Sequence, residues 1–252
     1  MAKGLELHYN SFPDFEQDYN GFSTSVKSKI ISKTIANNPK LFSKIVSDET
    51  AMNAVAVSEV ARDAIWNSKL AWDKVKVSNM AVGKYVAGAA GLNPEDYADM
   101  DAIAASEEAM NAVAASEAAI AAIVKSELAS DIIKEAIQNY IETIRQTLDN
   151  SSFFVKEDIN TGVLENLPNG TYIVQNGDVI VFPYEMSAES TLAWSGTFGL
   201  AYGTDPNFKL CEFNITTTVH SINAVSFRGL IYFTHSNNAD PYVKYYKYTL
   251  SV

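Results

Sequence analysis

The chain has 252 residues, 30 acidic against 19 basic side chains for a formal net charge of −11, and one cysteine. Its length exceeds the roughly 100–150 residues of a typical domain, so several segments are expected. The acidic balance without clustered Lys and Arg excludes a nucleic-acid binder, and the lone Cys211, expected as a buried apolar thiol, excludes an intrachain disulfide framework and a CxxC metal motif.

Residues 1–27 place Tyr9, Phe12, Phe15, Tyr19 and Phe22 among Asp, Glu, Asn and Gly. The stretch is too short for a core of its own, and aromatic side chains are costly to leave in water, so it is expected to attach the chain to a larger particle. Met1–His8 lacks a continuous apolar h-region, and no run approaches the ~18 apolar residues of a membrane span. Synthesis in the cytoplasm and no membrane insertion are expected.

From Ser28 a unit of ten residues recurs, with first residues Ser28, Asn38, Asp48, Ser58, Ser68 and Ser78. Each is a good helix N-cap, its side chain suited to accept from the free N–H groups of a first turn. Pro39 behind Asn38 fits a first helical position and would break a helix interior. Position four reads Ile31, Leu41, Ala51, Ala61, Ala71 and Ala81, and position eight reads Ile35, Ile45, Val55, Ile65, Val75 and Tyr85, four apart and on one helix face. Residues 28–87 form this first array. After a break at 88–95 the unit resumes over 96–135 with first residues Asp96, Ser106, Ser116 and Ser126, and with Ile103, Val113, Ile123 and Ile133 at position eight.

Ten residues at about 100° each fall roughly 80° short of three turns, so one long helix would carry its apolar stripe around its circumference. Short helices restarted at each cap avoid this. They are unstable alone and must be held by partners. Two sources of partners are open: other copies of the chain, or neighbouring units stacked as a solenoid, which would need a second apolar face on each unit. The single evident face favours copies. Ser130 is expected to cap a coiled coil over 130–149 carrying Ile133, Ile137, Tyr140, Ile144 and Thr147, and isoleucine at both core positions favours three strands. A homotrimer interface is therefore expected from Ile35, Ile45, Val55, Ile65, Val75, Ile103, Val113, Ile123, Ile133, Ile137 and Ile144.

The units Asp48-Glu49-Thr50-Ala51-Met52-Asn53-Ala54-Val55-Ala56 and Ser106-Glu107-Glu108-Ala109-Met110-Asn111-Ala112-Val113-Ala114 resemble repeats of bacteriophage fibre proteins, a resemblance covering about residues 28 to 135. Similar repeats form helix-turn-helix stalks in head fibres of phi29-like podophages and occur in tail fibres. The resemblance implies a trimeric virion fibre, joined to capsid or tail proteins. Arg62 and Trp72, where Met is usual, and Lys74, where Ala is, depart from the pattern.

Residues 150–252 lose the alanine and the repeat, and turn signals appear. Asn176-Gly177 between Thr171–Gln175 and Asp178–Phe182 predicts a two-residue hairpin. Alternation continues through Cys211, Phe213, Ile215, Thr217 and Val219, and further strands are expected around 192–202, 224–235 and 242–250. The fold class is thus α+β and segregated: a trimeric helical stalk with a short coiled coil, then a β-sandwich or jelly-roll-like head. Lys244 and Lys247 suit an edge strand. Trp194, Tyr202, Tyr242 and Tyr245 are the candidates for receptor contact with a host-surface glycan or protein, with Tyr232, Tyr246 and Tyr248 beside them.

No catalytic residue, metal ligand or cofactor is expected. His8, His220 and His235 are scattered, no HExxH or GxSxG occurs, and Gly83-Lys84 lacks the earlier glycine of a phosphate loop. An enzymatic head would need a carboxylate pair among Asp178, Glu185, Glu189, Asp205, Glu212 and Asp240. A spacer fibre without ligand is the remaining alternative.

Overall fold

A computed structural model of the chain describes residues 39–165, 167–190, 196–234 and 239–251. Helices come first: α1 (Pro39–Ser47), α2 (Glu49–Ala56), α3 (Glu59–Trp66), α4 (Lys69–Val75) and α5 (Asn79–Ala89). After a 3-10 turn at Pro94–Asp96 follow α6 (Met100–Ala104), α7 (Glu107–Ala114), α8 (Glu117–Val124) and α9 (Glu127–Ile133), and a second 3-10 turn at Ala136–Asn139 leads to α10 (Ile141–Asp149). Antiparallel strands occupy the rest, so the fold is α+β with helix and sheet segregated along the chain. Ser28, Ile35, Asn38, Trp194 and the aromatic residues of 1–27 lie outside the described residues.

The repeat is built by its caps. Asp48, Ser58, Ser68, Ser78, Ser106, Ser116 and Ser126 are extended, and each side chain accepts from the backbone N–H three residues on. Each cap's own N–H donates backward to the branched residue of the previous helix, Ser58 to Val55 at 3.2 Å and Ser116 to Val113 at 3.1 Å. A restart every ten residues therefore pairs the amides that a broken helix would orphan. Asp96 is not a cap: it closes the 3-10 turn capped by Asn93, and α6 is capped by Asp99. Ser126 does more than cap, because its hydroxyl also donates to the Lys76 carbonyl at 2.7 Å and the residue is fully buried. We expect Ser126→Ala to cost about 2 kcal/mol and Ser106→Ala about 1 kcal/mol in urea unfolding followed by circular dichroism.

The partners of these short helices lie in the same chain. Ile45, Val55, Ile65, Val75, Ile103, Val113, Ile123, Ile133, Ile137 and Ile144, expected between copies, are each at most 2% exposed within one chain, so their burial needs no second copy. Most described units carry a wider apolar face than positions four and eight, the unit at Ser58 being an exception with Arg62 and Trp66 only half-buried. Position five (Phe42, Met52, Trp72, Val82, Met100, Met110, Ile120) and position nine (Val46, Ala56, Val86, Ala114, Val124) are buried as well. On a helix, positions four, eight, five and nine span an arc of about 140°, wide enough to touch two neighbours.

The hub is α5, in which Ala81–Gly88 are all buried. Helices α2, α6 and α8 pack on it, and the second array folds back on the first in place of an extended stalk: the Ser116 hydroxyl donates to Ala89 at 2.9 Å and the Trp72 indole to Lys125 at 3.4 Å. Lys84, fully buried in the hub, donates to Glu49 Oε1 at 2.8 Å and to the Pro94 carbonyl at 2.9 Å. The hub ends where Gly91 turns left-handed (φ 76) and the N–H groups of Gly91 and Leu92 close onto Gly88 and Ala87.

The coiled coil expected over 130–149 is not one helix. Ser130 sits inside α9, its hydroxyl donating back to Ile123 at 2.8 Å, and Tyr140 leaves helical geometry at φ −120 and ψ 16. Its isoleucines fill the core shared with the helices before it.

Strands β1 (Phe154–Asn160), β3 (Val179–Ser190), β6 (Thr216–Ser221), β7 (Ser226–Phe227) and β9 (Ala239–Leu250) form one sheet in the order β1-β9-β3-β6, with β7 also on β3. Strands β2 (Thr171–Val174), β4 (Thr197–Tyr202), β5 (Asp205–Asn214) and β8 (Leu230–Thr234) form a second, ordered β2-β8-β4-β5. Val181, Met186, Val243 and Tyr245 of the first meet Phe198, Leu200, Leu230 and Tyr232 of the second in a common core, a β-sandwich.

Three local readings are corrected by this pairing. The segments flanking Asn176-Gly177 do not make a hairpin: β2 pairs with β8, while β3 pairs along its length with β9, and Gly177 bridges the sheets with an N–H to Arg228. The alternation from Cys211 to Val219 is two strands, the chain changing sheets at Ile215. Lys244 and Lys247 lie on β9, the strand between β1 and β3, where Lys244 pairs with Glu185 at 2.7 Å and Lys247 with Glu157.

Helices and sandwich share one core that runs from the hub to Phe154, Ile180, Phe182, Tyr202, Phe227, Tyr248 and Leu250. Gln138 exchanges two bonds with the Val225 backbone, at 2.8 and 3.1 Å. In the β7–β8 turn Arg228 is left-handed (φ 65) and its guanidinium donates to the Val124 carbonyl at 2.6 Å, capping the end of α8.

Candidate functional site

Register divides one face of the first sheet into two zones. On β9, residues 242, 244, 246, 248 and 250 point away from the second sheet, and opposite them stand Phe154, Lys156 and Asp158 of β1 and Ile180, Phe182 and Glu185 of β3. Near the helices this face is apolar and covered, by Phe154, Ile180, Phe182, Tyr248 and Leu250. Farther out it carries half-buried Tyr184, Tyr242 and Tyr246 among charged groups.

The outer zone is ordered by its own bonds. Tyr184 stacks on Tyr246 with centroids 4.7 Å apart and planes 29° apart, and its hydroxyl donates to Asp158 at 2.9 Å. Burial, then that bond, pushes the Tyr184 phenol up to about 12. Glu185 accepts from Lys244 and from Tyr242 at 2.7 and 2.9 Å, which holds its carboxyl below the usual range. Lys156 lies 4.4 Å over the Tyr246 ring and pairs with Asp149 at the end of α10 at 2.7 Å. The result is a rigid patch of aromatic surface with donors and acceptors fixed around it.

Of the expected receptor residues Tyr242 and Tyr246 are placed there, while Tyr232 and Tyr248 are fully buried. Tyr202 is fully buried, its hydroxyl donating to Ser130 at 3.0 Å, and Tyr245 is 6% exposed in the sandwich core, so neither can meet a receptor. Tyr184, not among the expected residues, completes the patch by stacking on Tyr246. Period-2 spacing from Tyr242 through Lys244 to Tyr246 was the signal for Tyr246; nothing local marks Tyr184.

Of the acids weighed for an enzymatic head, Asp178 pairs with Arg228, Glu185 with Lys244, Asp205 with Lys134 and Glu212 with Lys209. Among the described residues no three of His, Cys, Asp and Glu gather as a metal site, and no helix is long and apolar enough to cross a membrane. Cys211 is half-buried, and burial pushes its thiol up to about 11.

Five carboxyls sit below their ordinary range: Asp73 through Lys69, Glu142 through Arg145, Asp205 through Lys134, Glu185 through Lys244, and Asp149, where Lys156 and Tyr248 outweigh an opposing effect of burial. A carboxyl lowered on folding stabilises the protein above its unfolded pKa of about 4, and that contribution is lost as pH falls through the folded value. Stability is expected to fall as pH drops below about 4. Lys134→Met should make the fall shallower in acid titration of the unfolding midpoint.

No protein-family model and no curated protein matches the chain. Among solved structures, a chain from Bacillus endospore appendages, described as a family of disulfide-linked pili, aligns over 40% of this chain and 93% of its own at 13% identity and a TM-score of 0.27, too slight a likeness to carry an argument.

Proposed function

We propose that the chain is a non-enzymatic binding protein of a bacteriophage particle, whose capped-repeat helical domain carries a β-sandwich that engages carbohydrate at the host surface. The observation that carries the binding role is the outward zone of Tyr184, Tyr242 and Tyr246, aromatic rings set beside the fixed polar groups of Asp158, Glu185 and Lys244. Sugar rings are held by this combination of apolar face and convergent hydrogen bonds. The likeness of the repeats to fibre proteins supports the particle setting, with residues 1–27 as the attachment segment. Three copies would then meet through surfaces still open, such as exposed Val57 and Val77, and not through the buried isoleucines.

Polysaccharide cleavage is disfavoured by the same patch. A glycosidase keeps one carboxyl protonated near neutral pH, whereas Lys244 and Tyr242 hold Glu185 ionised. Binding of the full chain to host cells and to an array of bacterial surface glycans tests the proposal, with Tyr184→Ala and Tyr246→Ala beside it. Loss of binding in folded variants is expected. Unchanged binding would overturn the site, and absence of any host binding would favour a spacer fibre.

A further inference from the structure

At one end of the sandwich core, away from the tyrosine face, two sulfur side chains meet across the sheets and a histidine stands beside one of them in register. Cys211 of β5 pairs with core residue Leu200 and faces the first sheet, where its Sγ lies 3.7 Å from the Sδ of fully buried Met186. His220 of β6 is the cross-strand partner of Met186, so both side chains leave the sheet on the same side. Its ring stacks on Phe213, two residues from Cys211, at 4.1 Å and 15°, and lies 5.9 Å from Phe198. Its Nε2 is buried and has no hydrogen-bond partner among the described residues.

We propose that Cys211, Met186 and His220 form a binding site for one soft monovalent cation, copper(I). A buried ring nitrogen without a partner carries an uncompensated desolvation cost, and an ion is one of the few occupants that removes it. Two sulfurs bound to one metal at about 2.3 Å, with angles between tetrahedral and trigonal, stand roughly 3.8–4.0 Å apart, close to the separation found here. Thiolate, thioether and imidazole together select copper(I), while one thiolate and a neutral thioether make a poor zinc set. Binding forms the Cu–S bond to Cys211 as the thiol proton leaves to solvent, with no change of oxidation state. The apolar shell of Phe198, Leu200 and Phe213 keeps water from the ion.

Anaerobic titration of the full chain with copper(I) against a chromophoric chelator tests this. One ion per chain is expected, with binding abolished in Cys211→Ser and weakened at least about tenfold in Met186→Leu and His220→Phe. X-ray absorption should count two sulfurs and one nitrogen. Met186→Leu conserves volume and is expected to fold, so it decides the question even where His220→Phe disturbs the aromatic stack. No binding, or binding that needs Cys211 while ignoring Met186→Leu, would overturn the site, the latter reducing it to capture by a single thiol.

Discussion

Gly88→Ala is expected to destabilise the chain by about 3 kcal/mol, although the same change in an open helix would stabilise it by about 1 kcal/mol. The sign reverses because a Cβ on Gly88 would stand 2.0 Å from the carbonyl oxygen of Ala56, where α5 and α2 meet backbone to backbone. Gly83 faces the start of α6 in the same way, with a Cβ 2.3 Å from the Asp99 carbonyl carbon, and Gly83→Ala should cost a similar amount. Neither obstacle is the end of a flexible side chain, so neither can swing aside. Gly91 is the control: it has open space around it and only a left-handed φ to lose, which limits Gly91→Ala to about 1–2 kcal/mol. Urea unfolding of the three variants gives the ranking directly.

Trp72→Ala is expected to cost about 4 kcal/mol. Trp72 is 4% exposed and joins the two arrays: its ring meets Trp66 and Tyr85 edge-on at 5.3 and 5.2 Å, and its indole N–H reaches Lys125 on the second array. Trp66 is less buried and sits under the Lys125 ammonium at 3.9 Å, so Trp66→Ala should cost clearly less. Equal losses in thermal unfolding would remove Trp72 as the link between the arrays.

The capped unit is legible in the sequence because it is local: a Ser or Asp side chain, the N–H three residues on and the previous carbonyl all lie within one repeat. What fills the apolar face is not. The residues that meet across the arrays, such as Ser126 and Lys76, are 50 apart, and nothing in a repeat says whether a facing unit belongs to the same chain or another. Met52, Met110 and Trp72 hold the clue as the second buried column, but beside the uniform alanines Trp72 reads as an irregularity. The stretch to Asp149 looks like a heptad because Ile133, Ile137, Tyr140, Ile144 and Thr147 recur at spacings of four and three, yet Ile133, Ile137 and Ile144 are buried from separate turns around Tyr140.

In the sandwich, alternation locates most strands and fails to assign partners. Asn176-Gly177 is a strong local turn signal, overridden by the twelve-residue β9 pairing along β3. Tyr242, Tyr245 and Tyr246 are chemically alike, so composition cannot say which face is wet. The bulge near Tyr184, where β3 slips against β9, brings that side chain onto Tyr246, and only the register reveals it.

Each protomer supplies the neighbours of its own helices. Thermal unfolding across a hundredfold dilution, with sedimentation equilibrium on the same samples, tests this most directly. A midpoint that stays constant down to concentrations where only the single chain sediments is the predicted result. A midpoint that falls on dilution, with helix content lost as copies separate, would contradict it.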